Sequence, residues 1–411
     1  MALTLKLPIP SLIKRDIDNV SLTVLFILCP LLSLPWVIKK SYNGEKYSQL
    51  LLSIFIGLVC VLAWPPQADL YRHYITYENL RNKSFDYLLK YYIRFDLVLP
   101  FLQYVAAYMG IPFEIIRIGF ISTSYYLMLL IYNKLSINIT RHRFILFLII
   151  LYSVPFIYIL RGLRYGFAMM LMSYFILKRI LLGRKSKSDF IFPIISILTH
   201  FSSVWLIGIY FVRKIFPNRL PKYFLFIICI GLLSMSIWSS QMIQLLPRDI
   251  IGGQIIDLYS TGGASKNHLT GLNFWGLLTE YSVSLAIMLF IIICVTKIPY
   301  DSKTKILFLI IFLWTFTLSL FEINRRVGIP IYIMGGIYIF QYLKKYIIFL
   351  EILYAILISC SVLVGISFAR MYLMSNIVYI MFPLPIILLQ TYDYEWIKSN
   401  VDSLGTLLIW K

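Results

Sequence analysis

Apolar runs of about twenty residues recur along most of this 411-residue chain, separated by charged or proline-containing breaks. An α-helix of about that length crosses the roughly 30 Å hydrocarbon core of a bilayer. The runs fall at 20–38, 48–64, 96–110, 113–133, 144–160, 164–182, 189–212, 223–242, 274–296, 306–321, 328–343, 346–368 and 371–390. A soluble domain is excluded, because only 14% of the residues are charged where about 25% is usual. Lipid offers the backbone no hydrogen-bond partners, so only helices or closed barrels span it. No strand-like alternation stands out. The expected fold is an all-α polytopic integral membrane protein with about 12–13 transmembrane or re-entrant helices. Residues 1–411 read as a single membrane-embedded domain, with external loops at 65–95 and 243–273.

The charge is strongly basic, with 38 Lys and Arg against 18 Asp and Glu. These cations are scattered between apolar runs rather than gathered in one tract, which excludes nucleic acid as a partner. They serve instead as a topology signal, since basic loops stay in the cytoplasm. The basic connections are 39–46, 134–143, 178–187, 213–222, 297–305 and 344–345. The outward connections are then 65–95, 161–164, 243–273, 322–326 and the neighbourhood of Arg370. No cleavable leader is expected, because the first 19 residues are of mixed polarity. The five cysteines lie inside apolar runs, no two closer than 31 positions, and read as inert thiols.

Two runs break the simple alternation of sides. Run 189–212 has basic clusters at both ends and Thr199, His200, Phe201, Ser202 and Ser203 at its middle. Two half-helices meeting near His200, both opening to the cytoplasm, reconcile these features. Run 96–110 is short, contains Pro100 and ends between Gly110 and Pro112, so it is not expected to cross fully. Irregular backbone at membrane depth is tolerated where protein or a wet cavity covers it.

Arginines on the outward side are the most informative charges. Arg161 and Arg164 are three apart at an expected helix start, on one face. Arg325 and Arg326 sit at another outward connection. A planar guanidinium fork matches phosphate oxygens as lysine does not, although pairing with Glu322 or contact with lipid headgroups also accounts for these residues. His200 is the one histidine within a long apolar run; it reads either as a packed core residue or as a general base. Asp69, Arg72 and His73 share a helical face, followed by a tyrosine-rich stretch that suits either sugar rings or a membrane interface. Paired glycines at 252–253 and 262–263 suit either a lid or an irregular loop. Asp16 and Asp18 form a DxD triplet too short to carry weight, and no zinc, P-loop or dinucleotide motif occurs.

Four stretches together resemble the EpsG-like Wzy polymerases of bacterial surface polysaccharides, which include the O-antigen polymerases. They are Asp69, Tyr71, Arg72 and Tyr74 followed by Tyr77; Arg164 with Ala168; Thr199, His200 and Ser202; and Asn324, Arg325 and Arg326 ahead of an apolar helix. Tyr165 stands where many members carry glutamine, and the doubled Arg325/Arg326 leaves either as the family's late arginine. The resemblance implies a GT-C-like bundle in the bacterial inner membrane. Its activity would be that of an inverting glycosyltransferase needing neither metal nor cofactor, working on undecaprenyl-pyrophosphate-linked glycan in the bilayer. A chain-length regulator is a partner this reading allows. On it, Arg161, Arg164, Arg325 and Arg326 bind pyrophosphate, and His200 or Asp69 is the base. Arg72, His73, Tyr71, Tyr74 and Tyr77 would hold the acceptor sugar. The rival readings are a flippase of lipid-linked oligosaccharide and a membrane O-acyltransferase of surface glycans.

Overall fold

Proline sets the first departure from the expected spans. Pro30 has no N–H and drives the preceding residue into extended backbone, so Cys29 sits at φ −158°, ψ 98°. The run expected at 20–38 is therefore two helices, α1 (Ser11–Leu28) and α2 (Pro30–Tyr42). The computed structural model describes residues 11–63, 69–92, 96–139, 142–184, 186–244, 274–318, 320–360 and 377–389, and it is all-helical over them. Next come α3 (Lys46–Ala63), α4 (Asp69–Leu80), α5 (Phe85–Tyr91), α6 (Val98–Tyr108), α7 (Phe113–Leu135), α8 (Arg143–Tyr152), α9 (Phe156–Arg161) and α10 (Leu163–Ile176). They are followed by α11 (Ile191–Thr199), α12 (Val204–Val212), α13 (Lys222–Gln244), α14 (Phe274–Lys297), α15 (Lys305–Phe316), α16 (Phe321–Leu343), α17 (Ile347–Cys360) and α18 (Leu384–Leu389). Among the described residues, three stretches are long and apolar enough to cross a membrane: Lys46–Ala63, Phe113–Leu135 and Arg143–Leu160.

Ring and polar contacts fix how these helices run. Gln49 and Asn133 exchange side-chain hydrogen bonds of 2.6 and 2.7 Å near one end of α3 and α7. Halfway along, a Cβ on Gly57 would lie 2.5 Å from Ser122 Oγ, so α3 and α7 are antiparallel and close. Phe120 of α7 stacks on Phe167 of α10 at 4.2 Å, and farther along Tyr126 of α7 acts electrostatically on Tyr174 of α10, so those two are parallel. Every residue of α10 except Arg164 is buried, as a helix apolar on all faces must be. The cation of Arg326, near the start of α16, lies over Tyr165 near the start of α10, while Tyr342 near the other end of α16 donates to Asp301. Along α16, Tyr332 meets Tyr152 and a Cβ on Gly336 would meet Ile149, so α16 is antiparallel to α8. The start of α8 meets Tyr132 near the end of α7 through Arg143 and Phe147, so α8 is antiparallel to α7 and α16 runs in the same sense as α7 and α10. Basic connections 39–46, 134–143, 178–187 and 297–305 consequently gather at one end of the bundle. Arg164, Arg325 and Arg326 lie at the other.

Two expected connections are built differently. Arg161 and Arg164 do not share one helix: Arg161 closes α9, the chain breaks at Gly162 (φ −110°, ψ 60°), and Arg164 is the second residue of α10. Glu322, Arg325 and Arg326 are not in a loop but in the first turns of α16. That start is held by the Asn324 amide, which donates to the Trp314 carbonyl of α15 at 2.6 Å. The two glycine pairs fall in 245–273, outside the described residues.

Run 189–212 doubles back, as its charges require. α11 and α12 are joined by an extended His200 (φ −154°, ψ 111°) and the short turn Phe201–Ser203. Phe175 of α10 meets Phe190 at the entry of this hairpin (5.5 Å) and Tyr210 at its exit (5.0 Å). Between them, Ser196 donates to the Ala168 carbonyl at 2.7 Å. At the tip, His200 meets the Tyr165 ring at 5.3 Å. The hairpin climbs α10 from the basic end to the arginine end and returns.

An ion pair with a buried carboxylate anchors the hairpin base. Lys178 Nζ lies 2.6 Å from Asp189 Oδ1, and the Ser186 N–H donates to the other oxygen at 3.2 Å. Burial opposes the charge on Asp189, yet the hydrogen bonds from Lys178 and Ser186 outweigh it and hold the carboxyl below its usual range. A carboxyl depressed on folding contributes stability above its unfolded pKa, about 3.9, and loses it as pH falls through the folded value. Asp189→Asn is therefore expected to lower the thermal midpoint of purified protein by a constant amount between pH 5 and 7. Below about pH 4 the gap to wild type should close; a gap independent of pH would refute the assignment.

Candidate functional site

Asp96 precedes α6, where its carboxylate is close to the tip of the hairpin. Its Oδ2 accepts from Arg164 Nη1 at 2.8 Å, and its Oδ1 accepts the Phe201 N–H at 3.0 Å. The neighbouring Leu97 N–H donates to the Leu198 carbonyl at 2.6 Å. Three separated segments, the start of α6, the start of α10 and the hairpin tip, are thus tied within one hydrogen-bonded unit. At 11 residues α6 spans about 16 Å, about half of the hydrocarbon core of a bilayer.

His200 faces the same cluster. Its Nδ1 accepts the Ser202 N–H at 3.2 Å and lies 2.8 Å from Ser202 Oγ. A neutral ring accepting at Nδ1 carries its hydrogen on Nε2, so a proton is taken up at the nitrogen that Ser202 covers. Tyr165 touches both His200 and the second cation: its ring plane stands at 86° to the imidazole, and the Arg326 guanidinium lies 5.3 Å from the ring centre. Arg325 lies 5.7 Å from the Tyr158 ring on α9. Three half-buried cations therefore surround the first turn of α10. Tyr158 and Tyr165 supply buried aromatic faces that hold two of them in place.

The other expected site residues divide. Arg161 and Asp69 lie in described helices, but their side chains fall outside the description. In α4 the Arg72 side chain is exposed, Tyr71 is half-buried and His73 is buried, its carbonyl accepting from Gln103 at 2.7 Å. Tyr74 and Tyr77 pack on Phe113 at 5.9 and 5.8 Å, and Tyr77 donates to the Ile111 carbonyl. These two rings belong to the interface of α4 with α6 and α7, and the hydroxyl of Tyr77 is already engaged.

Two functional candidates escaped the reading of the sequence. Asp96 is the one acidic residue between Asp86 and Glu114, at the edge of an apolar run, which is a signal in itself. Arg117, fully buried four residues inside the run expected at 113–133, is a cation in a helix long and apolar enough to cross a membrane, with Glu114 one turn before it. Among the described residues no three His, Cys, Asp or Glu side chains converge as metal ligands. An open apolar groove of about 390 Å³ is lined by Phe85, Leu89, Leu97, Val98, Phe101 and Leu102, along α5 and the start of α6 that follows Asp96. No protein-family model, curated protein or solved structure matches the chain.

Proposed function

We propose that this chain is a multi-pass glycosyltransferase of the bacterial inner membrane with a GT-C-like bundle. It would polymerise undecaprenyl-pyrophosphate-linked repeat units into O-antigen or capsule-type polysaccharide at the outer face. The observation that carries this reading is the gathering of Arg164, Arg325, Arg326 and His200 around the first turn of α10. It lies at the end of the bundle opposite the basic connections. The resemblance of the same residues to the Wzy-type polymerases supports it.

The chemistry follows from the residue types. The C1–O bond joining the growing glycan to its lipid diphosphate breaks, and a hydroxyl at the non-reducing end of the incoming unit forms the new glycosidic bond. Negative charge grows on the departing diphosphate, where fixed guanidinium groups stabilise it; one such contact is typically worth about 3–4 kcal/mol. The acceptor hydroxyl gives up its proton to His200 Nδ1, with the Ser202 hydroxyl as relay. The open apolar groove between α5 and the start of α6 takes part of the isoprenoid chain. Deleting the gene in its native host should leave single repeat units on the lipid carrier, with polymer restored on re-expression. Polymer of normal length in the deletion strain would remove the proposal.

A further inference from the structure

We infer that Asp96 is an exchangeable counter-ion: it holds Arg164 while the site is empty and yields it to the phosphate oxygens of an incoming diphosphate. This rests on the reading of Arg164 as a diphosphate ligand and adds the residue that governs how tightly the anion is held.

The geometry separates the two oxygens by task. Oδ2 is on Arg164 Nη1 at 2.8 Å, while Oδ1 accepts the Phe201 N–H at 3.0 Å. The adjacent Leu97 N–H holds the Leu198 carbonyl, so Asp96 stays on the hairpin tip when the guanidinium leaves it. The pair is partly open, with side-chain exposures of 32% for Arg164 and 19% for Asp96. Ion pairs between partly exposed side chains are weak and exchange readily, whereas the Asp189 carboxylate paired with Lys178 at the base of the same hairpin is only 1% exposed. Nη1 is the nitrogen of Arg164 that is hydrogen-bonded among the described residues. A diphosphate offers that fork two phosphate groups and more negative charge than one carboxylate. It therefore wins the guanidinium when present, and Asp96 recaptures it when the lipid diphosphate departs. The resting ion pair lowers apparent anion affinity in proportion to the fraction of Arg164 it occupies.

The test is Asp96→Asn, whose amide oxygen still accepts the Phe201 N–H but bears no charge. Purified full-length protein is titrated with inorganic pyrophosphate in detergent, and with undecaprenyl pyrophosphate in nanodiscs, with Asp96→Ser as a second neutral variant. Expected is about threefold to tenfold tighter binding in both variants. The gain should vanish in Asp96→Asn/Arg164→Ala, which should bind no better than Arg164→Ala alone. A gain with both probes, or with the lipid alone, supports exchange, and the second pattern assigns the headgroup as its source. Unchanged or weaker binding in the neutral variants overturns it and leaves Asp96 an aligner of Arg164. Polymer formation is scored separately. Tighter binding without any polymer from wild type keeps the exchange and removes the polymerase reading; normal polymer with no gain in binding removes the exchange alone.

Discussion

Arg164→Ala is expected to abolish polymer while leaving single repeat units on the lipid carrier. Arg164 combines the features the chemistry demands: a planar fork, a place at the first turn of a buried helix, and a partner that can release it. Losing one preorganised contact to the charge of a leaving diphosphate costs about 10²–10³ in rate, enough to reduce a chain of many repeats to its starting unit. Arg164→Lys keeps the charge and loses the bidentate geometry, so a small residue of short chains should survive. Arg219→Ala, which removes an exposed cation in the connection between α12 and α13, serves as the control and should leave chain length unchanged. Glycan extracted from the three strains and run on a gel decides the matter. Normal chain length in Arg164→Ala would end the assignment of Arg164 to the diphosphate.

The parts of the site legible in the sequence are those that violate a rule visible in one dimension. His200 stood in an apolar run with basic residues at both ends, and only a doubled-back chain satisfies both charges. The hairpin is there, and its tip is His200. Arg164, Arg325 and Arg326 stood on the wrong side for the usual charge asymmetry, and they meet around α10. What was not legible depends on partners distant in the chain. Asp96 looks like an ordinary acid at the edge of an apolar run until the Phe201 N–H and Arg164 arrive from 105 and 68 residues away. Tyr74 and Tyr77 read equally as sugar platforms or interface rings; their packing on Phe113 of α7 is a tertiary fact. Helix limits failed in both directions, because Pro30 splits one apolar run while α16 continues through Arg325, Arg326 and Pro330. Tertiary packing overrides a local break where enough apolar surface is covered, and the helix interior after Val327 is buried throughout as far as Phe340.

Gly166→Ala is expected to loosen the platform on which the arginines sit. A Cβ at Gly166 would lie 2.5 Å from the Tyr158 carbonyl oxygen, 2.7 Å from its carbon and 2.8 Å from the Ile159 nitrogen. All three are backbone atoms, so no side chain can swing aside and α9 must move bodily away from α10. Two effects compete. Alanine gains up to about 1 kcal/mol over glycine in helix propensity, whereas forcing extra volume into a packed contact costs about 1–3 kcal/mol, and more where backbone must shift. The steric effect wins, and it acts on Tyr158, whose ring carries Arg325, and on Gly162, where the chain reverses between Arg161 and Arg164. Gly231 in α13 supplies the matched control, since a Cβ there meets nothing within 4 Å and its side is exposed. Gly231→Ala should leave the thermal midpoint of purified protein unchanged or raise it, while Gly166→Ala lowers it and shortens the polymer. Equal midpoints in the two variants would show that α9 is not wedged against α10, and the aromatic support of Arg325 would lose its structural basis.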